Sequence, residues 1–140
     1  MVRPRGAGPP AQRPPGLRAA LEGARAPPDM VNISSVAGRI ARGGSAVYNL
    51  TKHGVGAFSE ALRQEVAGRH VRVSLVEPGA VETELRIHNR AEIQEQIRER
   101  FGDMEILQPQ DIASAVLYIV TRPRRMAVNE ILIRPAEQDS

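Results

Sequence analysis

Cysteine and tryptophan are absent from the 140 residues, and lysine occurs once, as Lys52, against 18 arginines. Without cysteine there can be no disulfide scaffold, no thiolate zinc or iron–sulfur site and no cysteine nucleophile, and the composition favours a cytoplasmic setting. No run of 18 apolar residues occurs, so no segment reads as a membrane-spanning helix. The Arg- and Pro-rich start does not have the apolar stretch of a secretory signal. Aromatics are two Tyr and two Phe. The cluster Arg122, Arg124 and Arg125 therefore has no aromatic partners for stacking bases, and nucleic acid is not an expected ligand. His53, His70 and His88 do not have the spacing of metal ligands, and no metal site is expected.

The formal charge is +3, and its location matters more than its size. Residues 1–29 hold five Arg against Glu22 and Asp29, whereas residues 30–140 balance 14 basic against 14 acidic groups. In that first segment 22 of 29 residues are Ala, Arg, Pro or Gly. With Val2, Leu17 and Leu21 as its sizeable apolar side chains, it cannot offset the entropy of ordering. It reads as a disordered leader, and residues 30–140 as one partial domain.

Within residues 30–140 the pattern alternates between strand and helix. Residues 30–33 (MVNI) form a short apolar run that ends at Ser34 and Ser35. From Ala46 to about Gly68, the positions Val47, Leu50, Val55, Phe58, Leu62 and Val66 recur at helical steps, predicting an amphipathic helix ended by Gly68. Residues 71–76 are strand-like and stop at Glu77-Pro78-Gly79. Residues 89–101 are polar and helix-prone. Residues 109–121 open on a proline and carry Ile112, Val116 and Ile119 on one face. The last strand is 130–133. This order predicts an α/β fold with a Rossmann-like parallel sheet of about three strands.

Tyr48 and Lys52 are four residues apart, so their side chains share a helix face. A neighbouring ammonium favours a phenolate, which brings a tyrosine within reach of general acid/base work. Helix surfaces produce such pairs by accident. Here the single lysine falls four residues after one of two tyrosines, a coincidence of roughly 2 in 140. Ser35 precedes Tyr48 by thirteen residues, at the carboxyl end of the first strand, where open α/β sheets bind ligands. The loop Pro78-Gly79-Ala80-Val81-Glu82-Thr83 follows the next strand and meets the same edge. Glu77, just before it, reads as loop structure.

Three motifs in order, N-I-S-S-V-A-G at 32–38, Y-x-x-x-K at 48–52 and P-G-x-V-x-T at 78–83, resemble the short-chain dehydrogenases/reductases over about residues 30–136. The resemblance implies an NAD(P)-dependent oxidoreductase. Tyr48 would pass a proton to or from the substrate oxygen as hydride moves at nicotinamide C4, and Ser35 would hydrogen-bond that oxygen. Lys52 would hold the nicotinamide ribose. Tyr48 and Lys52, with Pro78, Gly79, Val81 and Thr83, would make up the cofactor contacts, the backbone of Val81 and the hydroxyl of Thr83 meeting the carboxamide. Ser34 falls one residue off the family spacing and reads as structural. Residues 129–135 (NEILIRP) resemble the subgroup that acts on 3-hydroxy acids such as serine with NADP. Expected partners are a small carbonyl or alcohol substrate and, through the Tyr48 helix, further copies of the chain in a dimer or tetramer.

The sequence departs from the family pattern in its first part. The turn T-G-x-x-x-G-x-G that holds the pyrophosphate has no counterpart, since Gly6, Gly8 and Gly16 lie among prolines. The Asn-Asn-Ala-Gly stretch, the upstream catalytic asparagine and the residue that selects NAD or NADP are missing too. The expectation is a C-terminal catalytic half with the dinucleotide-binding half missing, inactive by itself; the alternative is a remnant without catalysis that serves as an interaction module.

Overall fold

Seven consecutive buried residues, Arg72–Pro78, form the middle of a three-stranded parallel sheet in the computed structural model, which describes residues 28–83, 94–95, 99 and 101–139. This strand, β2, lies between β1 (Asp29–Ile33) and β3 (Glu130–Ile133). Met30 pairs with Val73 and Ile33 with Val76 on one side; Leu75 pairs with Glu130 and Pro78 with Ile133 on the other. The expected α/β, Rossmann-like parallel sheet is therefore present. Among the described residues, β1 is paired on one side only.

Two long helices accompany the sheet among the described residues: α1 (Ala46–Val66) and α2 (Pro109–Val120). Helix α2 opens on the expected proline and is fixed by a reciprocal capping box between Gln108 and Asp111. Helix α1 covers the sheet with Leu62 and Val66, which form the core with Val71, Val73 and Met30. Farther along, the partly buried Asn32–Ser59 hydrogen bond ties β1 to α1.

Three details differ from the sequence pattern. Helix α1 ends at Val66 and continues as a 3-10 turn, Ala67–Arg69. The left-handed residue that closes it is His70 (φ 58°), its N–H bonded to the Ala67 carbonyl, so Gly68 does not end the helix. Strand β2 runs through Glu77 and Pro78 instead of stopping before them. Proline fits there because the β2 donors facing β3 come from Leu75 and Gly79, while the Pro78 nitrogen faces the β1 side, where pairing has ended at Ile33. Finally, the six apolar positions of α1 do not make one buried face: Val47, Leu50 and Phe58 are exposed. A step of about 100° per residue spreads them over a stripe wider than the sheet covers. The leader up to residue 27, most of the polar helix at 89–101, and His88 lie outside the described residues.

The sheet is also held by charge. Arg72, 6% exposed, donates from Nε and Nη2 to both oxygens of Asp29 at the start of β1, and its other donors reach the carbonyls of Val120, Arg122 and Met126. Arg124 also bonds Asp29 and spans to the His70 carbonyl. Hydrogen bonding from Arg72 holds the Asp29 carboxyl below its ordinary 3.8, against the opposing effect of burial. A depressed carboxylate adds stability above its unfolded pKa and loses it as pH falls through the folded one. The midpoint of thermal unfolding should therefore drop as pH falls below about 4, and Asp29→Asn should flatten that drop. An equally steep drop in the variant would show that other carboxylates account for it.

Candidate active site

Parallel strands bring the ends of β1 and β2 to one edge, from which the Ser35 segment and the loop ending at Thr83 continue. After Ile33 the chain enters a short 3-10 turn, Val36–Gly38, with Ser35 at its N-cap. The Ser35 Oγ accepts from the Ala37 N–H at 3.1 Å, which leaves the hydroxyl proton to donate elsewhere. Ser34 is 5% exposed; its N–H bonds the Val76 carbonyl, and its Oγ donates to the Lys52 carbonyl at 3.1 Å. The neighbouring serines thus differ: Ser34 is tied to α1 through its hydroxyl, and the Ser35 hydroxyl caps the 3-10 turn.

On α1, the Lys52 ammonium lies 5.6 Å from the Tyr48 ring centroid. Tyr48 is 46% exposed, accessible to a ligand at the edge. Between them in sequence, and missed by sequence reasoning, is Asn49. Its buried amide donates from Nδ2 to the carbonyls of Ala37 and Ile40, both at 2.9 Å, and its Oδ1 accepts from the Arg42 N–H. One side chain next to Tyr48 therefore holds the segment that begins at Ser35. Its only sequence signal is a polar residue on the helix flank that faces that segment.

Gly38 completes this docking. A Cβ at that position would lie 2.9 Å from the Lys52 carbonyl oxygen and 3.0 Å from Ser34 Oγ, so the turn can approach α1 only without a side chain. Gly38→Ala should destabilise the protein by about 1–3 kcal/mol, read as a lower midpoint of thermal unfolding. A variant with wild-type stability would contradict this packing.

The third motif forms the loop after β2. The Gly79 N–H bonds the Ile133 carbonyl, the Leu107 N–H bonds the Ala80 carbonyl, and the Glu82 N–H bonds the Leu107 carbonyl. This is a parallel bridge centred on Val81 and Leu107. In such a bridge residues 80 and 82 bond the partner, so the N–H and C=O of Val81 itself face the opposite side. Thr83 is exposed just beyond. Glu77 is not in the loop but in β2, buried and ion-paired with Arg39, which also pairs with Glu130. Glu77, then Glu130, hold the Arg39 guanidinium more firmly protonated than usual. Among the described residues, no group of three or more His, Asp or Glu is placed to hold a metal ion.

Residues 18–107 match the family model of the short chain dehydrogenases. The chain belongs to that family. The match starts within the 1–29 segment. Curated relatives agree with the assignment. An uncharacterized oxidoreductase of Staphylococcus saprophyticus is 39% identical over 112 residues, covering 78% of this chain and 45% of the relative. The NADP-dependent 3-hydroxy acid dehydrogenase of Schizosaccharomyces pombe is 34% identical over 113 residues, covering 79% and 42%. Among solved structures, the closed form of serine dehydrogenase complexed with NADP+ superposes with a TM-score of 0.70 at 29% identity, covering 80% of this chain and 46% of that one. This short-chain dehydrogenase chain thus spans less than half the length of each of these proteins.

The residues present fit the nicotinamide end of a dinucleotide. Lys52, half-buried as a residue, offers an ammonium beside the Tyr48 ring, and Val81 turns its backbone donor and acceptor away from Leu107. Among the described residues there is no glycine-rich strand-to-helix turn for a pyrophosphate.

Proposed function

We propose that the chain from Asp29, the first residue of β1, onward is the catalytic portion of an NAD(P)-dependent oxidoreductase that interconverts a carbonyl and an alcohol, and that the leader outside that domain ends before residue 18, where the family match begins. The observation that carries the reading is the Tyr48–Lys52 pair on α1, with the Ser35 turn docked on the same helix at Lys52. NAD(P), when bound, would supply or accept the hydride. Tyr48 exchanges the proton with the substrate oxygen, and Ser35, its hydroxyl proton uncommitted to Ala37, hydrogen-bonds that oxygen. Lys52 would hold the ribose hydroxyls with its compact, three-donor ammonium. Pro78 and Gly79 shape the loop from which the Val81 backbone and the Thr83 hydroxyl meet the carboxamide.

NADP is the nucleotide we favour and a 3-hydroxy acid or related carbonyl the substrate class, because the fission yeast relative and the serine dehydrogenase share these features by name. The exposed Val47, Leu50 and Phe58 of α1 suit self-association into a dimer or tetramer, and the cytoplasm, with its nicotinamide pool, is the compartment that goes with this chemistry.

A second reading is a chain without catalysis that acts as an interaction module, favoured by the exposed apolar side chains of Val47, Leu50 and Phe58 on α1. Calorimetric titration of the chain with NADP and NAD separates the two, together with NADPH oxidation in the presence of 3-oxo acids. Micromolar binding and turnover support the oxidoreductase; neither binding nor turnover supports the module.

A further inference from the structure

The loop that presents Val81 is held from β3 and from Leu107, and also from the far end of the chain. After β3 the backbone turns on itself, the Gln138 N–H bonding the Pro135 carbonyl at 3.0 Å. This turn returns the Gln138 side chain to the start of the loop. Gln138 is 8% exposed, and its Oε1 accepts from the Ala80 N–H at 3.0 Å across 58 residues of sequence. The fit of this glutamine against the loop is close. A Cβ on Gly79 would lie 2.1 Å from Oε1, 3.0 Å from the Gln138 Cδ and 3.1 Å from the Pro135 ring. The glutamine amide therefore lies against the bare backbone of Gly79, and the proline that shapes the turn forms the other wall.

We propose that Gln138 is a positioning residue for the nicotinamide-facing loop, fixing the 79–80 peptide so that Val81 presents its N–H and C=O to the cofactor. This rests on the reading that Val81 meets a nicotinamide. The physical reason is directional. The Ala80 carbonyl is committed to Leu107 and the Gly79 N–H to Ile133. The Ala80 N–H is the remaining donor between them, and a half-buried donor deprived of its acceptor is costly. Without the Gln138 oxygen, the 79–80 peptide rotates to find water. That rotation is passed to the next residue, so the Val81 donor moves off its line. Packing alone does not need an acceptor at position 138, whereas aiming the peptide does.

Two near-isosteric variants of the full chain separate these roles. Gln138→Met keeps the shape and loses the acceptor; Gln138→Glu keeps an acceptor. By hydrogen exchange in the unliganded chain, Ala80 in Q138M should exchange at least about tenfold faster than in wild type, with the Val73 and Leu75 amides unchanged, and Q138E should keep the protection. NADPH titration should show affinity weaker by about five- to tenfold in Q138M and near wild type in Q138E. Wild-type protection of Ala80 in Q138M would overturn the proposal. So would loss of protection in Q138E, which decides the matter should Q138M fail to fold. If the wild-type chain binds no NADPH, it is the reading of this chain as a nucleotide-binding unit by itself that fails, and the Ala80 amide still reports whether Gln138 holds the loop.

Discussion

Replacing Tyr48 with phenylalanine, in the chain joined to a dinucleotide-binding half of the family, is expected to lower NADPH-dependent turnover of a carbonyl substrate by about 10²- to 10⁴-fold, the usual worth of a positioned general acid. The substitution removes one oxygen and leaves the ring. Its apolar surface, its place on α1 and its contact with the Lys52 ammonium stay much as they are, so nucleotide affinity should change little. A loss confined to kcat with an unchanged Kd for NADPH is the signature of a group that acts on the reacting atoms. Turnover equal to wild type would remove Tyr48 from the proton transfer and leave the Tyr48–Lys52 pair a surface contact.

An Arg72→Met variant is expected to lose about 3–5 kcal/mol of stability, the cost of removing one partner of a buried ion pair. Methionine fills much of the space but satisfies none of the acceptors. Asp29 loses its two-oxygen partner, and the carbonyls of Val120, Arg122 and Met126 lose a shared donor. These acceptors come from the start of β1, the end of α2 and the segment leading to β3, so the damage is not local. A loss of this size is a large part of the stability of a small domain. Denaturant unfolding would measure it, and a change below about 1 kcal/mol would show that Arg124 alone can hold Asp29.

The two residues differ in how far the sequence announces them. Tyr48 is legible because the chemistry depends on spacing: four residues along a helix is a short-range fact, and the single lysine makes the pair stand out. Helices and strands whose signals are equally local, such as the proline-led α2 and the apolar run of β3, are legible for the same reason. Arg72 gives no such sign. In a strand read as Val71-Arg-Val-Ser-Leu-Val76, an arginine between apolar residues suggests a solvent-facing position, but a central parallel strand is covered on both faces and the alternation carries no such meaning. Its partners are 43 to 54 residues away. Asn49 and Gln138 are hidden in the same manner, since each is defined by loop carbonyls or an N–H that only the finished fold brings near. The α1 stripe was misleading for the opposite reason: periodicity shows where apolar residues lie on a helix, not how wide a surface the neighbouring sheet offers.

The docking of the serine turn on Lys52 separates two tasks within one residue. Ser34 grips the peptide oxygen of Lys52, and Gly38 lies against that same oxygen, while the ammonium at the other end of the residue approaches the tyrosine. The anchor belongs to the main chain, which every amino acid shares, and the reactivity belongs to the side chain, which is free to vary. Exchanging the head group at position 52 therefore alters the chemistry offered to a ligand without releasing the turn, so reactivity there can be retuned by substitution while the architecture is inherited intact.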